Sequence, residues 1–227
     1  MTCYLTLLIS KKYEVNLKDI WYRVPDTVAG FPGTSAELVA GDILSGWDLL
    51  FALMLPSGND ASVCLAELMG KVIQRHRKKE QSKTYLETFL NHMNLFSKEL
   101  GLKQEWGNSH GLSANPNIST PRSIVSLTAL ALIDTTFRKV VSTREHEVVI
   151  KNDRYGLSSR RSWKNTNKLL EKGWEGVKTG TTDSAGHCLM ALKDNILLGV
   201  FDCQTLSKRF SDSTKLLESI VSHPDYL

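Results

Sequence analysis

The stretch DLLFALMLPSGNDA, residues 48–61, predicts two helices joined by a short polar turn. The apolar run Trp47–Leu55 has helical length and stops at a proline, which cannot continue a helix without losing a backbone hydrogen bond. Asn59 or Asp60 is expected to cap the next helix, and Gly70 is expected to end it. A polar turn between two apolar helices is well placed to present side chains to a cleft.

The last third of the chain changes to short apolar runs separated by Gly, Asp or Asn, and includes GVKTGTTDSAG, residues 176–186. Three such runs predict consecutive antiparallel strands: Trp174–Thr179, Cys188–Leu192 and Ile196–Phe201. A closing helix is predicted over Arg209–Val221, with an apolar face made of Leu216, Leu217 and Ile220.

Helical patterns also cover Tyr85–Leu100 and Pro121–Ile133, with a loop at Asn108–Leu112 between them. Helices followed by a sheet predict an α+β fold. We interpret the whole chain, residues 1–227, as a single domain, with a helical part over about 1–170 and the sheet and closing helix over about 171–227. The basic run Lys71–Lys83 is expected to be a solvated helix end or surface loop, because it has no aromatic residue on which a base would stack.

Composition excludes several classes of function. The net charge of +4 is too small to indicate nucleic acid or a membrane surface as the partner. No apolar run has the length of a membrane span, and the start of the chain lacks the features of a signal peptide. The cysteines have no close C-x-x-C spacing, so neither a zinc site nor a disulfide framework is predicted, and buried free thiols are expected at Cys3, Cys64, Cys188 and Cys203. No cofactor or metal is predicted.

Two tripeptides stand out together: Ser57-Gly58-Asn59 between two predicted helices, and Lys178-Thr179-Gly180 on a predicted strand. Serine acyltransferases combine S-x-x-K, S-x-N and K-T-G, because a serine nucleophile must lose a proton and the departing amine must gain one. Residues 48–61 and 176–186 closely resemble the low-molecular-weight penicillin-binding proteins, the serine D-Ala-D-Ala carboxypeptidase family. Further matches follow in the family's order between them, at Met93-Asn94, Glu99–Leu102 and His110–Leu112.

The resemblance implies a β-lactamase/DD-peptidase-like fold, with a helical subdomain and an antiparallel sheet flanked by helices. It also implies roles for individual residues: Ser57 as a proton relay, Asn59 as the amide that orients the substrate, and Lys178 as the positive charge that supports the relay. Thr179 would bind the terminal carboxylate of the peptide, Gly180 would keep the strand edge open, and the N–H of Thr181 would be one oxyanion-hole donor. Ser57 and Lys178 are then expected to face one groove.

Two histidines near the motifs, His110 and His187, are expected to be structural, because the family mechanism needs no histidine.

The chain departs from the family in one respect: no serine is followed three residues later by lysine. The nearest imitation, Thr136-Phe-Arg-Lys139, lies far from the family's position for the nucleophile. We therefore expect that the chain begins after the S-x-x-K motif and lacks the nucleophile, its lysine base and the N-terminal strands of the sheet. As given, it is expected to be inactive.

Several hypotheses remain open. The gene product is longer and active, with this chain as a truncated copy, or the protein is an inactive homologue that binds peptides or serves as a scaffold. A class A β-lactamase usually has aspartate where Gly58 stands, and an unrelated domain would need every match to be accidental. The resemblance implies peptides ending in D-Ala-D-Ala as partners, β-lactams only if the missing segment is restored, and a location outside the cytoplasmic membrane.

Overall fold

The computed structural model describes residues 1–77 and 82–223, and contacts divide the chain into two units. The first unit consists of Met1–Ser119 and Thr143–Asn165, and the second of Thr120–Ser142 and Thr166–Leu227. Lys78 and Lys79 of the predicted basic run lie outside the described residues. That residues 1–227 form a single domain stays a prediction.

In the residues that the structure describes, the first unit is built on four helices and a sheet. Its elements are, in chain order, α1 (Thr2–Lys12), β1 (Trp21–Arg23), β2 (Asp42–Ser45), α2 (Gly46–Met54), α3 (Asn59–His76), α4 (Tyr85–Glu99), β3 (Glu145–Asn152) and β4 (Leu157–Lys164). Fully buried side chains of α2, α3 and α4 form the centre of this unit: Leu49, Leu50, Leu65, Met69, Ile73, Phe89 and Met93. The predicted helices at residues 47–55 and 85–100 are therefore confirmed, with α4 begun by a capping box between Thr84 and Glu87.

The predicted ends of α3 were wrong at both termini. Gly58 is the N-cap, and neither Asn59 nor Asp60 caps the helix, because both side chains are used elsewhere. The helix also continues past Gly70 to His76. A Cβ at Gly70 would lie 1.9 Å from the Tyr85 carbonyl oxygen, so this glycine allows two helices to approach rather than ending one.

A four-stranded antiparallel sheet, in the order β1-β2-β3-β4, was not predicted. The pair β3 and β4 is in register from Glu145 opposite Lys164 to Asn152 opposite Leu157. Strand β4 has a single buried residue, Trp163, whose indole N–H donates to the Ala36 carbonyl at 3.0 Å. One buried residue in eight gives no apolar alternation, so the strand left no signal in the sequence.

The second unit contains the strands predicted for the last third of the chain. Its elements are α5 (Pro121–Ala131), α6 (Thr135–Ser142), a 3-10 helix (Lys168–Lys172), β5 (Gly176–Thr182), β6 (Gly186–Lys193), β7 (Ile196–Cys203) and α7 (Lys208–Ser222). The strands are antiparallel in the order β5-β6-β7, as predicted. Their core is Leu169, Trp174, Leu189, Ala191 and Leu198, against which Leu217 and Ile220 of α7 pack. Leu216 was wrongly assigned to that face, since it is 39% exposed.

All four cysteines are free. Cys3 and Cys64 are buried as expected, but Cys188 and Cys203 are only half-buried, because they lie near one end of the small sheet. Across the described residues, no helix combines the length and hydropathy that crossing a bilayer requires. No group of side chains suited to a metal ion occurs in residues 1–77 and 82–223.

Candidate active site

The serine of S-G-N has a left-handed backbone. Ser57 has φ of +64°, a conformation that few residues other than glycine adopt without cost. Its carbonyl oxygen accepts a hydrogen bond from the Thr34 hydroxyl at 2.5 Å. The Ser57 hydroxyl has no hydrogen bond to any described residue and keeps partial exposure. The fold therefore fixes the backbone of this residue and leaves its hydroxyl available.

The asparagine of S-G-N is buried and held on one side only. Its Nδ2 donates to the Pro32 carbonyl at 2.9 Å, and its backbone N–H donates to the Thr34 carbonyl at 2.8 Å. Gly33 makes this approach feasible, because a Cβ there would lie 2.4 Å from Nδ2 of Asn59. With the amide nitrogen anchored, the Asn59 Oδ1 is the atom left to accept a hydrogen bond.

Sequence reasoning missed the group that organises this turn. Asp60 is 1% exposed, and its carboxylate accepts from the backbone N–H of Ala36 at 2.9 Å and of Leu38 at 3.0 Å. The Ser35 hydroxyl also donates to it, at 2.7 Å. A buried carboxylate is stable only when donors surround it, and these donors all come from the loop that contacts Ser57 and Asn59. Asp60 thus connects that loop to α3.

The middle residue of S-G-N has no room for a side chain. A Cβ on Gly58 would lie 2.7 Å from the Ala52 carbonyl oxygen and 2.9 Å from the Ala36 Cβ. An aspartate, usual at this position in class A β-lactamases, would not fit here without rearrangement.

K-T-G lies on β5, which is the end strand in the order β5-β6-β7. Lys178 donates from Nζ to the Thr179 carbonyl at 2.8 Å and has no carboxylate partner among the described residues. Burial, with a smaller effect from the charge of Arg209, lowers the pKa of Lys178 to about 7. A Cβ at Gly180 would meet no atom within 4 Å, so the strand surface at this glycine is open.

The hydroxyls of K-T-G-T are both held by residues from outside the motif. The Thr179 Oγ1 lies 2.6 Å from the Thr166 Oγ1, and either hydroxyl can be the donor. The guanidinium of Arg209 donates through Nη1 to the Thr181 Oγ1 at 3.2 Å and to the Gly180 carbonyl at 3.3 Å. Arg209 is 7% exposed, and its Nε has no hydrogen-bond partner among the described residues. Burial lowers the pKa of this guanidinium.

The chain matches one protein family over most of its length. Residues 1–196 match the family described as D-alanyl-D-alanine carboxypeptidase. The chain belongs to this family. It is 31% identical over 199 residues to a D-alanyl-D-alanine carboxypeptidase of Streptomyces sp. (strain K15), covering 85% of this chain and 66% of that protein. It is 29% identical over 238 residues to the D-alanyl-D-alanine carboxypeptidase DacF of Bacillus subtilis (strain 168), covering 100% of this chain and 56% of that protein.

The fold agrees with the family. The crystal structure of the Streptomyces K15 DD-transpeptidase superposes with a TM-score of 0.82 at 28% identity, covering 96% of this chain and 84% of that one. The prediction of an α+β fold of the DD-peptidase and β-lactamase type is confirmed. The chain spans 66% and 56% of the lengths of the two curated relatives.

The predicted residues of this D-alanyl-D-alanine carboxypeptidase family member form two sets. Ser57 and Asn59 lie together in the first unit, and Lys178–Thr181 lie together in the second. The prediction that Ser57 and Lys178 face one groove stays a prediction. Arg209 was missed because an arginine in a helical pattern usually indicates a solvent-exposed position. The available signal was that Arg209 falls on the side of α7 that is buried.

The two histidines contact residues near the motifs. His110 packs edge-on against Phe31 with ring centroids 5.0 Å apart, and burial lowers its pKa. His187 lies opposite Thr181 in the sheet, with its Nδ1 3.1 Å from the Thr181 Oγ1. A neutral imidazole can either donate or accept there. That both histidines are structural stays a prediction.

Proposed function

We propose that this chain binds peptides that end in D-Ala-D-Ala, as the substrate-binding part of a serine-type DD-carboxypeptidase. One observation carries the proposal: Lys178 and Arg209 are desolvated cations, and neither has a carboxylate partner among the described residues. Unpaired buried charge is costly, and a bound anion would remove that cost. The terminal carboxylate of a peptide supplies this anion, and the hydroxyls of Thr179 and Thr181 supply donors beside it.

The remaining roles follow from the family. Asn59 is anchored through its nitrogen, which leaves Oδ1 to accept the N–H of the substrate amide. Gly180 lets an extended peptide lie along β5, and the N–H of Thr181 is one donor to the oxyanion. Ser57, with its unbonded hydroxyl, relays a proton to the leaving nitrogen, and the charge of Lys178 supports this relay.

We further propose that these 227 residues form no acyl-enzyme, because they contain no serine followed three residues later by lysine. Acyl transfer requires a nucleophile oxygen that attacks the peptide carbonyl, releases D-alanine and retains the acyl group as an ester. With an S-x-x-K segment present, the same site would react with peptides and β-lactams. Without it, binding is the function that remains, and no cofactor, metal or nucleic acid takes part.

The absence of S-x-x-K also favours a second candidate, an inactive homologue that serves as a peptide-binding or scaffold protein. Both candidates place the protein outside the cytoplasmic membrane, where peptidoglycan stem peptides are found. They differ in whether a longer product carries the motif. Mass spectrometry of the native N-terminus separates them: an upstream S-x-x-K supports the enzyme, and a native start at Met1 supports the binding protein.

Calorimetric titration of the purified chain tests the binding proposal. An N-acetylated peptide ending in D-Ala-D-Ala should bind weakly, and the same peptide with a C-terminal amide should bind at least tenfold more weakly, since a charged hydrogen-bonded contact contributes about 1.5–3 kcal/mol. Lys178→Ala and Thr179→Ala should each remove the preference for the free carboxylate. Equal affinity for the acid and amide forms of the peptide would contradict the proposal.

Labelled penicillin tests the absence of acylation. Incubation with the 227-residue chain should give no covalent adduct in denaturing gels or intact-mass spectra. A stable adduct at any serine would contradict the claim that the nucleophile is absent.

A further inference from the structure

Thr166 contacts the threonine of K-T-G although it belongs to no recognised motif. The two hydroxyl oxygens are 2.6 Å apart, between residues 13 positions apart in the chain. Thr179 is 6% exposed, and Thr166 is the one described residue with which its hydroxyl forms a hydrogen bond. The direction of this hydrogen bond decides whether the Thr179 hydroxyl can donate its proton to a ligand or can only accept one.

The position of Thr166 is fixed by the segment that follows it. Asn167 is 2% exposed and caps the 3-10 helix, accepting the Leu169 N–H at 3.1 Å through its side chain. Leu169 and Leu170 are buried in the core of the second unit. Because these anchors lie next to Thr166, its hydroxyl is held at the motif without being part of it.

A threonine hydroxyl has one proton, so the direction of this hydrogen bond has consequences. If Thr179 donates to Thr166, its oxygen presents only lone pairs to a ligand, and a carboxylate is repelled. If Thr166 donates to Thr179, the Thr179 proton is free to donate to a carboxylate. A chain of donors aimed at an anion also strengthens each of its bonds.

We propose that Thr166 is a positioning residue that donates to Thr179, so that the Thr179 hydroxyl donates to the terminal carboxylate of a bound peptide. This inference rests on the proposed function. Thr166 itself does not touch the ligand and acts only through Thr179. Thr166 would therefore favour peptides with a free terminal carboxylate over peptides whose C-terminus is blocked.

Two nearly isosteric variants test the inference by calorimetry with the acid and amide forms of the D-Ala-D-Ala peptide. Thr166→Val keeps the shape but loses the hydroxyl, and should weaken binding of the acid by up to about fivefold, because the Thr179 hydroxyl is then no longer held as a donor to the carboxylate. Its binding of the amide should not change. Thr166→Ser keeps the hydroxyl and should retain the preference of the original chain.

A double-mutant cycle separates positioning from general loss of structure. In the Thr179→Val background, Thr166→Val should cause no further loss, because the group it positions is already absent. Thermal melts verify that each variant is folded.

The outcomes distinguish the inference from the function on which it rests. If the original chain prefers the acid and Thr166→Val keeps that preference, the inference is overturned and the proposed function stands. If Thr166→Val weakens acid and amide equally, the role is structural and the inference fails. If the original chain shows no preference for the acid, the proposed function fails and the inference fails with it.

Discussion

The S-G-N turn and the K-T-G strand differ in whether the protein itself supplies partners for their buried charges. In the first unit, the buried anion Asp60 of α3 is surrounded by donors from the loop at residues 35–38. In the second, the cations Lys178 and Arg209 have no anion among the described residues. The turn is thus complete by itself, whereas the strand has unmet charge. The difference separates a half whose buried charge is satisfied within the protein from a half whose charge is not, and the proposed function assigns that second charge to a ligand.

The strongest way to break this comparison is to remove the charge of Asp60. In Asp60→Asn, an amide NH₂ group replaces one carboxylate oxygen that accepted a backbone N–H. Two hydrogen-bond donors would then face each other. We expect unfolding free energy to fall by about 3 kcal/mol, the range for breaking a buried charged network. Urea denaturation followed by circular dichroism measures it.

Asp19→Asn is the matched control for this experiment. Asp19 is exposed, in the same unit, and accepts a hydrogen bond from Asn16 at 2.7 Å. Its substitution should change stability by less than about 0.5 kcal/mol. A loss below about 1 kcal/mol in Asp60→Asn would mean that the loop is held by other contacts, and the description of the turn as complete would be wrong.

The second prediction concerns the pH dependence of stability at Lys178. Its pKa is lowered to about 7 in the folded chain, mainly by burial, while the unfolded chain keeps the ordinary value near 10.4. Between these values the unfolded state binds more protons, so stability rises with pH from about 7 towards 10. Below pH 7 both states are protonated, and the penalty for the buried charge is fully present.

Lys178→Met removes this titration while keeping much of the side-chain volume. The original chain should gain about 2 kcal/mol relative to the variant between pH 7 and pH 9, as linkage predicts for a depressed lysine pKa. Urea midpoints at both pH values measure the difference, and other titrating groups cancel in the comparison. Parallel stability curves for the two proteins would show that the Lys178 ammonium is not desolvated.

The sequence predicted the parts of the site that follow from periodicity and turn residues. The helix at 47–55, the three consecutive strands and the closing helix are present. The tripeptides were found because they are contiguous. The backbone donors of Asp60 could not be found this way, because the direction of these N–H groups depends on the path of a loop.

The features that the sequence did not predict depend on tertiary contacts. Strand β4 is mostly exposed and has no apolar alternation, so nothing in it indicated a strand. Arg209 looked like a solvated cation, and only the fold shows that it is 7% exposed beside Thr181. Gly70 looked like a helix end, whereas its real role is to let Tyr85 approach. Each of these depends on partners distant in the chain.

The smallest predicted effects concern stability changes on substituting glycines of the two regions. They separate the cost of close packing from the cost of backbone conformation. Gly33 and Gly30 both have positive φ, +85° and +74°, but only Gly33 has a close neighbour, Nδ2 of Asn59. Both alanine substitutions should lose about 1 kcal/mol from backbone strain, and Gly33→Ala should lose about 1 kcal/mol more with the hydrogen bond from Asn59 to Pro32. Gly180→Ala should leave stability within about 0.5 kcal/mol, because its Cβ meets no atom within 4 Å. Equal losses at Gly33 and Gly30 would show that Asn59 moves aside freely, and S-G-N would then be no more rigid than the open strand of K-T-G.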